Sequence, residues 1–175
     1  MKKGKLIFVT GGARSGKSSF AEKLAFKAAK DRFYIATLQG LDEEMKDRIA
    51  RHKSQRLGKN WKTVEEPLDI LNALKRVDRK KRAVLIDCLT LWISNMMMKN
   101  YKEKEIILAA ETIAEQARRG QAKVIVVSNE VGMGLVPESG LGRDFRDIQG
   151  RVNQVFALRA RKVYFTVAGI PLELK

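Results

Sequence analysis

One eight-residue stretch constrains this chain more than any other: Gly11-Gly12-Ala13-Arg14-Ser15-Gly16-Lys17-Ser18 fits G-x-x-x-x-G-K-[ST]. Ahead of it, Lys5 to Thr10 is a short, β-prone and mostly apolar run, the character of a strand buried on both faces. Behind it, Ser18 to Lys30 is rich in helix formers. Strand, glycine loop and helix in that order make a phosphate cradle. The glycines let backbone N–H groups turn toward an anion, and the helix N-terminus adds a partial positive charge. Lys17 is placed to reach β- and γ-phosphates, and the Ser18 hydroxyl to ligate Mg²⁺. All eight residues are candidates for binding a nucleotide.

Downstream, strands and helices alternate. Arg32 to Thr37 reads as a second strand, and Trp61 to Glu65 as a third. Pro67 suits the first turn of a helix from about Leu68 to Arg76. Ala83-Val84-Leu85-Ile86 closes on Asp87, the form of a strand whose terminal carboxylate holds Mg²⁺ beside a phosphate loop. Helices are expected over Leu89–Met98 and Glu103–Arg119, a buried strand over Lys123–Ser128, and a further helix bearing Phe145, Ile148, Val152, Val155 and Phe156. The glycine-rich stretch Asn129 to Glu138 leaves a strand at the edge where parallel sheets bind ligands. Lys162–Val167 is a last core strand, turned by Ala168-Gly169-Ile170-Pro171 into a short edge strand. With no repeat or linker, residues 1–175 are expected to form one three-layer α/β domain with a mostly parallel sheet and an antiparallel C-terminal edge strand.

The single histidine, His52, falls on a charged helix that Asp42 is placed to cap. At about 100° per residue it shares a face with Leu41, Met45 and Ile49, flanked by Arg48 and Arg56. The pattern alone favours a packing histidine over a reactive one, since a lone histidine on an apolar face is usually hydrogen-bonded within the body of the protein.

The chain has 175 residues and a net charge of +15. That charge suits nucleic acid, a membrane surface, anionic small molecules or a heat-adapted surface. Its densest run, KRVDRKKR from Lys75 to Arg82, reads as a solvated connection. Only 7% of residues are aromatic, and no aromatic–basic platform is visible, which argues against nucleic acid as partner. One cysteine, Cys88, excludes a disulfide framework. No apolar run approaches the roughly 20 residues of a membrane span, and nothing resembles a secretory leader, so a cytoplasmic location is expected.

Several stretches together resemble one family, the bifunctional adenosylcobinamide kinase / adenosylcobinamide-phosphate guanylyltransferases of cobalamin biosynthesis. They are VTGGARSGKS, RIARHK around His52, WKTVEEP, LIDCLTLWISN, SNEVGMGLVPESGLGRDFRDIQGRVNQ and a terminal AGI, in order from end to end. The resemblance implies a P-loop NTPase-like fold assembled as a trimer and two reactions on a corrinoid. One transfers the γ-phosphoryl group of ATP or GTP to the aminopropanol hydroxyl of adenosylcobinamide. The other moves GMP from GTP onto that phosphate through a histidine-bound intermediate, a role that here falls on His52. It also implies guanine-nucleotide contacts at Thr37-Leu38-Gln39, along Lys53-Ser54-Gln55-Arg56, and at Glu65 and Asp87. Lys17 joins His52 as a catalytic residue in this reading, and Ser18 and Asp87 share the metal. A neutral imidazole, with a reference pKa of about 6.5, is available as a nucleophile near pH 7. Two other readings stay open from the sequence: a simple P-loop small-molecule kinase, and a nucleic-acid-stimulated P-loop ATPase.

Overall fold

The computed structural model describes residues 5–40, 43, 50, 54, 58 and 60–175. Seven strands form one sheet: β1 (Leu6–Gly11), β2 (Asp31–Ala36), β3 (Trp61–Glu65), β4 (Arg82–Asp87), β5 (Lys123–Asn129), β6 (Lys162–Val167) and β7 (Ile170–Glu173). Their spatial order is β3-β2-β4-β5-β1-β6-β7, every pair parallel except the antiparallel β6–β7. The described helices are α1 (Lys17–Ala28), α2 (Ile70–Val77), α3 (Leu89–Met98), α4 (Glu103–Arg119) and α5 (Gly140–Arg159). The antiparallel C-terminal edge is borne out. Its hairpin turns on Ala168 and Gly169, both at positive φ (49° and 84°), as a tight two-residue hairpin requires.

Alternation along the strands divides the core. In β4, Ala83 and Leu85 face α1, while Val84 and Ile86 face the other helices. The α1 face also buries Val9, Ala21, Ala25 and Val127. The opposite face packs Leu6, Phe8, Ile35 and Val126 against Ile70, Trp92, Ile113, Val152 and Phe156. Trp92 is fully buried, yet its indole N–H donates to the Leu68 carbonyl at 2.8 Å, so burial leaves no unmet donor there.

α2 starts later than the sequence suggests. Asp69 is its N-cap, accepting from the Asn72 backbone N–H at 3.2 Å, and Pro67 lies in the bend before it. Glu66 Oε1 accepts from the backbone N–H groups of Leu68 (3.1 Å) and Asp69 (2.8 Å), which holds the bend ahead of the helix. At the sheet's N-terminal edge, Asp31 accepts from Lys62 Nζ at 2.8 Å and Arg82 Nε at 2.6 Å, tying β3, β2 and β4 together. These two cations hold the Asp31 carboxyl below its ordinary value. Arg82, the last residue of the basic run, is therefore engaged, while Lys80 and Lys81 are exposed.

Candidate active site

Five strand ends meet at the C-terminal edge of the sheet and bring the described candidate residues together. The order along that edge is Glu65, Thr37, Asp87, Glu130 and the phosphate loop, because Ala36 is in register with both Glu65 and Asp87, Asp87 with Val127, and Gly11 with Asn129. β5 separates the phosphate-loop strand from the strand that ends in Asp87. Two strand spacings put these two about 10 Å apart laterally.

The loop is held from several sides. Gly16 has φ 89°, a conformation that disfavours side chains, and a Cβ there would meet Gly169 Cα at 3.1 Å. A Cβ on Gly11 would meet the Thr166 carbonyl oxygen at 2.5 Å, so no larger residue fits. Lys17 is buried and its ammonium donates to the Gly12 carbonyl at 2.8 Å, folded over the loop where phosphate oxygens are expected. Gly12, Ala13, Arg14 and Ser18 form the rest of the rim, with Arg14 at φ 55°. Ser15 differs from them. Its hydroxyl lies 2.8 Å from Thr166 Oγ1, and its carbonyl accepts from the Gly169 N–H at 3.0 Å. Its own N–H donates to the Gly12 carbonyl at 3.3 Å, so Ser15 closes the loop on itself and fastens it to β6 and the β6–β7 turn.

Asp87 accepts from the Tyr34 hydroxyl at 2.9 Å, which orients its carboxylate. Beside it, burial and the charge of Asp87 push the Cys88 thiol up to about 11, so Cys88 is a protonated packing residue. Thr37 is fully buried. Its hydroxyl donates to the Cys88 carbonyl and accepts from the Cys88 N–H, both at 2.8 Å, and Asn95 donates to its carbonyl. Its side chain therefore joins β2 to the end of β4, leaving half-buried Leu38 and Gln39 to line the edge. Glu65 is exposed at the end of β3, four strand spacings or about 19 Å from β1. Ser54 is helical and exposed; His52, Lys53, Gln55 and Arg56 lie outside the described residues.

Behind the edge sits a buried polar cluster that the sequence reading did not single out. Ser128 Oγ donates to Asn153 Oδ1 at 2.7 Å, and the Gln149 amide reaches both Ser128 (2.8 Å) and Asn153 (2.9 Å). Asn153 also donates to the Asn129 carbonyl at 3.0 Å, and Thr90 Oγ1 accepts from the Asn129 N–H at 2.8 Å. Thus α5 and α3 fix the end of β5 from which Glu130 emerges. The signal in the sequence was two amides four residues apart beside the apolar stripe Ile148, Val152 and Phe156, on the face a helix buries.

Ser18 and Asp87 offer a hydroxyl and a carboxylate, both hard oxygen donors. Among the described residues there is no group of three or more His, Cys, Asp and Glu that could hold a metal. That donor set fits Mg²⁺, which takes one or two protein ligands and completes its shell with phosphates and water.

Comparison with known proteins completes the picture. The model of the cobinamide kinase / cobinamide phosphate guanyltransferase family matches residues 7–174. The chain is 41% identical over 167 residues to the bifunctional adenosylcobalamin biosynthesis protein CobP of Pseudomonas aeruginosa, covering 95% of each. It is 40% identical over 182 residues to the bifunctional adenosylcobalamin biosynthesis protein CobU of Escherichia coli K12, covering 97% of this chain and 99% of that one. Among solved structures, the KaiC-like protein PH0186 of Pyrococcus horikoshii superposes with a TM-score of 0.52 at 19% identity, over 93% of this chain and 71% of that one, a likeness of fold.

Proposed function

The chain belongs to the cobinamide kinase / cobinamide phosphate guanyltransferase family, and from that premise we propose how its residues divide the two reactions. It is a bifunctional enzyme of cobalamin biosynthesis. What carries the assignment is the end-to-end family match.

In the kinase step, the phosphate loop Gly11–Ser18 grips ATP or GTP, with Lys17 on the β- and γ-phosphates and Ser18 and Asp87 as ligands of Mg²⁺. When bound, Mg²⁺ neutralises charge on the phosphate oxygens. The aminopropanol oxygen of adenosylcobinamide bonds to the γ-phosphorus as the bond to the β-phosphate oxygen breaks. The products are adenosylcobinamide phosphate, a nucleoside diphosphate and a proton.

In the transferase step, an imidazole nitrogen of His52 attacks the α-phosphorus of GTP and pyrophosphate leaves. An oxygen of adenosylcobinamide phosphate then displaces the imidazole from that phosphorus, giving adenosylcobinamide-GDP and free His52. Lys53, Ser54, Gln55 and Arg56 hold the nucleotide next to His52. Glu65 accepts hydrogen bonds from guanine N1–H and the 2-amino group, which adenine cannot offer together. The lateral distance between Glu65 and the phosphate loop suits a guanine nucleotide spread along the edge, passing Leu38 and Gln39. The enzyme acts as a cytoplasmic homotrimer, with α5 and exposed Met98 at the end of α3 as the surfaces for subunit contact.

Purified protein given adenosylcobinamide, Mg²⁺ and ATP should form the corrinoid monophosphate, and adding GTP should convert it to adenosylcobinamide-GDP, both read by mass spectrometry of the corrinoid. Formation of the monophosphate with no GDP adduct under any nucleotide would reduce the protein to a simple kinase.

A further inference from the structure

The proposed function gives a nucleotide a place at the sheet edge but assigns no residue to the corrinoid. The substrate's reactive hydroxyl ends a short arm on a large macrocycle, so the ring must rest close to the γ-phosphate when that hydroxyl reacts. The surface that takes it is flat or convex, partly apolar to meet the ring's methyl-lined edge, and next to the phosphate loop.

The segment between β5 and α5 has these properties. It begins one strand spacing from the phosphate loop, where the Glu130 N–H donates to the Gly11 carbonyl at 2.9 Å. Both ends of the segment are tied down. Glu130 Oε1 accepts from the Gly132 N–H at 2.6 Å, and the Arg143 guanidinium donates to the carbonyls of Pro137 (3.1 Å) and Glu138 (2.6 Å). Ser139 caps α5 by accepting from the Gly142 N–H. Between these ties stands an apolar crest: Met133 is 80% exposed, Leu135 95% and Val136 63%. Nothing lies within 4 Å of where a Gly134 Cβ would be, so the crest is open on that side. Three apolar side chains within four residues, held outward by an anchored loop rather than folded into the core, make an exposed apolar patch of the kind that marks an interaction site. The crest starts three residues beyond Glu130, and an extended chain covers at most about 3.6 Å per residue. It therefore stays within a substrate's reach of the phosphate loop.

We propose that Met133, Leu135 and Val136 form the platform on which the corrin ring of adenosylcobinamide rests while its hydroxyl reaches the phosphate loop. The proposal builds on the family function above. Methionine suits such a contact, since its unbranched thioether adapts to an irregular ring surface. A second copy of the chain is the competing occupant of this crest.

The test compares wild type with M133S/L135S/V136S and with Leu108→Ser, which makes the same polarity change on an exposed residue of α4, away from the sheet edge. Adenosylcobinamide binding is measured by equilibrium dialysis, read from the corrin's visible absorbance. GTP binding and sedimentation are measured on the same samples. The triple variant should bind adenosylcobinamide at least tenfold more weakly, with GTP affinity and oligomeric state unchanged, while Leu108→Ser matches wild type. Corrinoid affinity within twofold of wild type in the triple variant overturns the platform. So does a loss of corrinoid affinity accompanied by dissociation of the oligomer, which gives the crest to a second copy. Failure of the wild type itself to bind the corrinoid would instead overturn the functional reading, and the platform with it.

Discussion

The Tyr34 hydroxyl donates to Oδ2 of Asp87 at 2.9 Å, across the adjacent strands β2 and β4. A buried tyrosine thus sets the orientation of the carboxylate proposed to share Mg²⁺. Tyr34→Phe keeps the ring and its edge-on contact with Trp61 but removes that donor. A hydrogen bond to a carboxylate of this kind is worth about 1.5–3 kcal/mol, which converts to roughly one to two decades in an equilibrium constant. The Mg²⁺ concentration for half-maximal kinase rate should rise by that factor, with ATP affinity little changed. An unchanged Mg²⁺ titration would leave Tyr34 a packing residue.

Lys17→Ala and Asp87→Ala should each reduce nucleotide turnover by orders of magnitude while leaving the circular dichroism spectrum native, because phosphoryl transfer rests on positioning and charge neutralisation. Lys17 packs over the loop through the Gly12 carbonyl, so its loss should also make the loop more accessible to hydrogen exchange. A folded variant of either kind with near wild-type turnover would remove the residue from the site.

The amides behind β5 predict a stability effect coupled to activity. Asn153→Leu deletes partners of Ser128, Gln149 and the Asn129 carbonyl and leaves buried polar atoms unmet. Each such atom costs about 1–3 kcal/mol, and about 2–4 °C of Tm accompanies each kcal/mol in a domain of this size. The Tm should fall, and kcat should fall with it because the end of β5 borders the phosphate loop. A lower Tm with unchanged kcat, measured well below the new Tm, would limit the cluster to folding.

Most of the fold was legible in the sequence because its strands are short, apolar and closed by distinctive residues such as Gly11, Asp87 and Asn129. The helices over Leu89–Met98 and Glu103–Arg119 fall at the expected bounds, since apolar periodicity and Gly120 mark them locally. Sequence could not reveal that β5 lies between β1 and β4, since strand order depends on contacts far apart along the chain. For the same reason the roles of Ser15 and Thr37 emerge only in three dimensions. Their hydroxyls meet Thr166 and Cys88, 151 and 51 residues away. Pro67 misled because a proline before a helix looks the same whether it opens the first turn or precedes an acidic cap. In the charged segment bearing His52, Glu43, Ala50 and Ser54 are helical, and His52 itself lies outside the described residues.

Base recognition separates from phosphate recognition at Glu65. Glu65→Gln should weaken use of GTP in the transferase step by roughly one to two decades, the equivalent of about 1.5–3 kcal/mol for a charged hydrogen bond. ATP-driven phosphorylation should be spared. Equal losses with both nucleotides would make Glu65 a structural residue of β3.

The most direct measurement is intact-protein mass spectrometry after incubation with GTP and Mg²⁺ and no corrinoid. The account predicts one added GMP per chain, mapped to His52, with an equal amount of pyrophosphate released. The adduct should be lost in acid and kept in mild alkali, as a phosphoramidate is. Its formation should slow as pH falls below the imidazole pKa, because protonation removes the attacking lone pair. His52→Ala should form none while still phosphorylating adenosylcobinamide with ATP. A GMP adduct that persists in His52→Ala, or no adduct in the wild type, would contradict it.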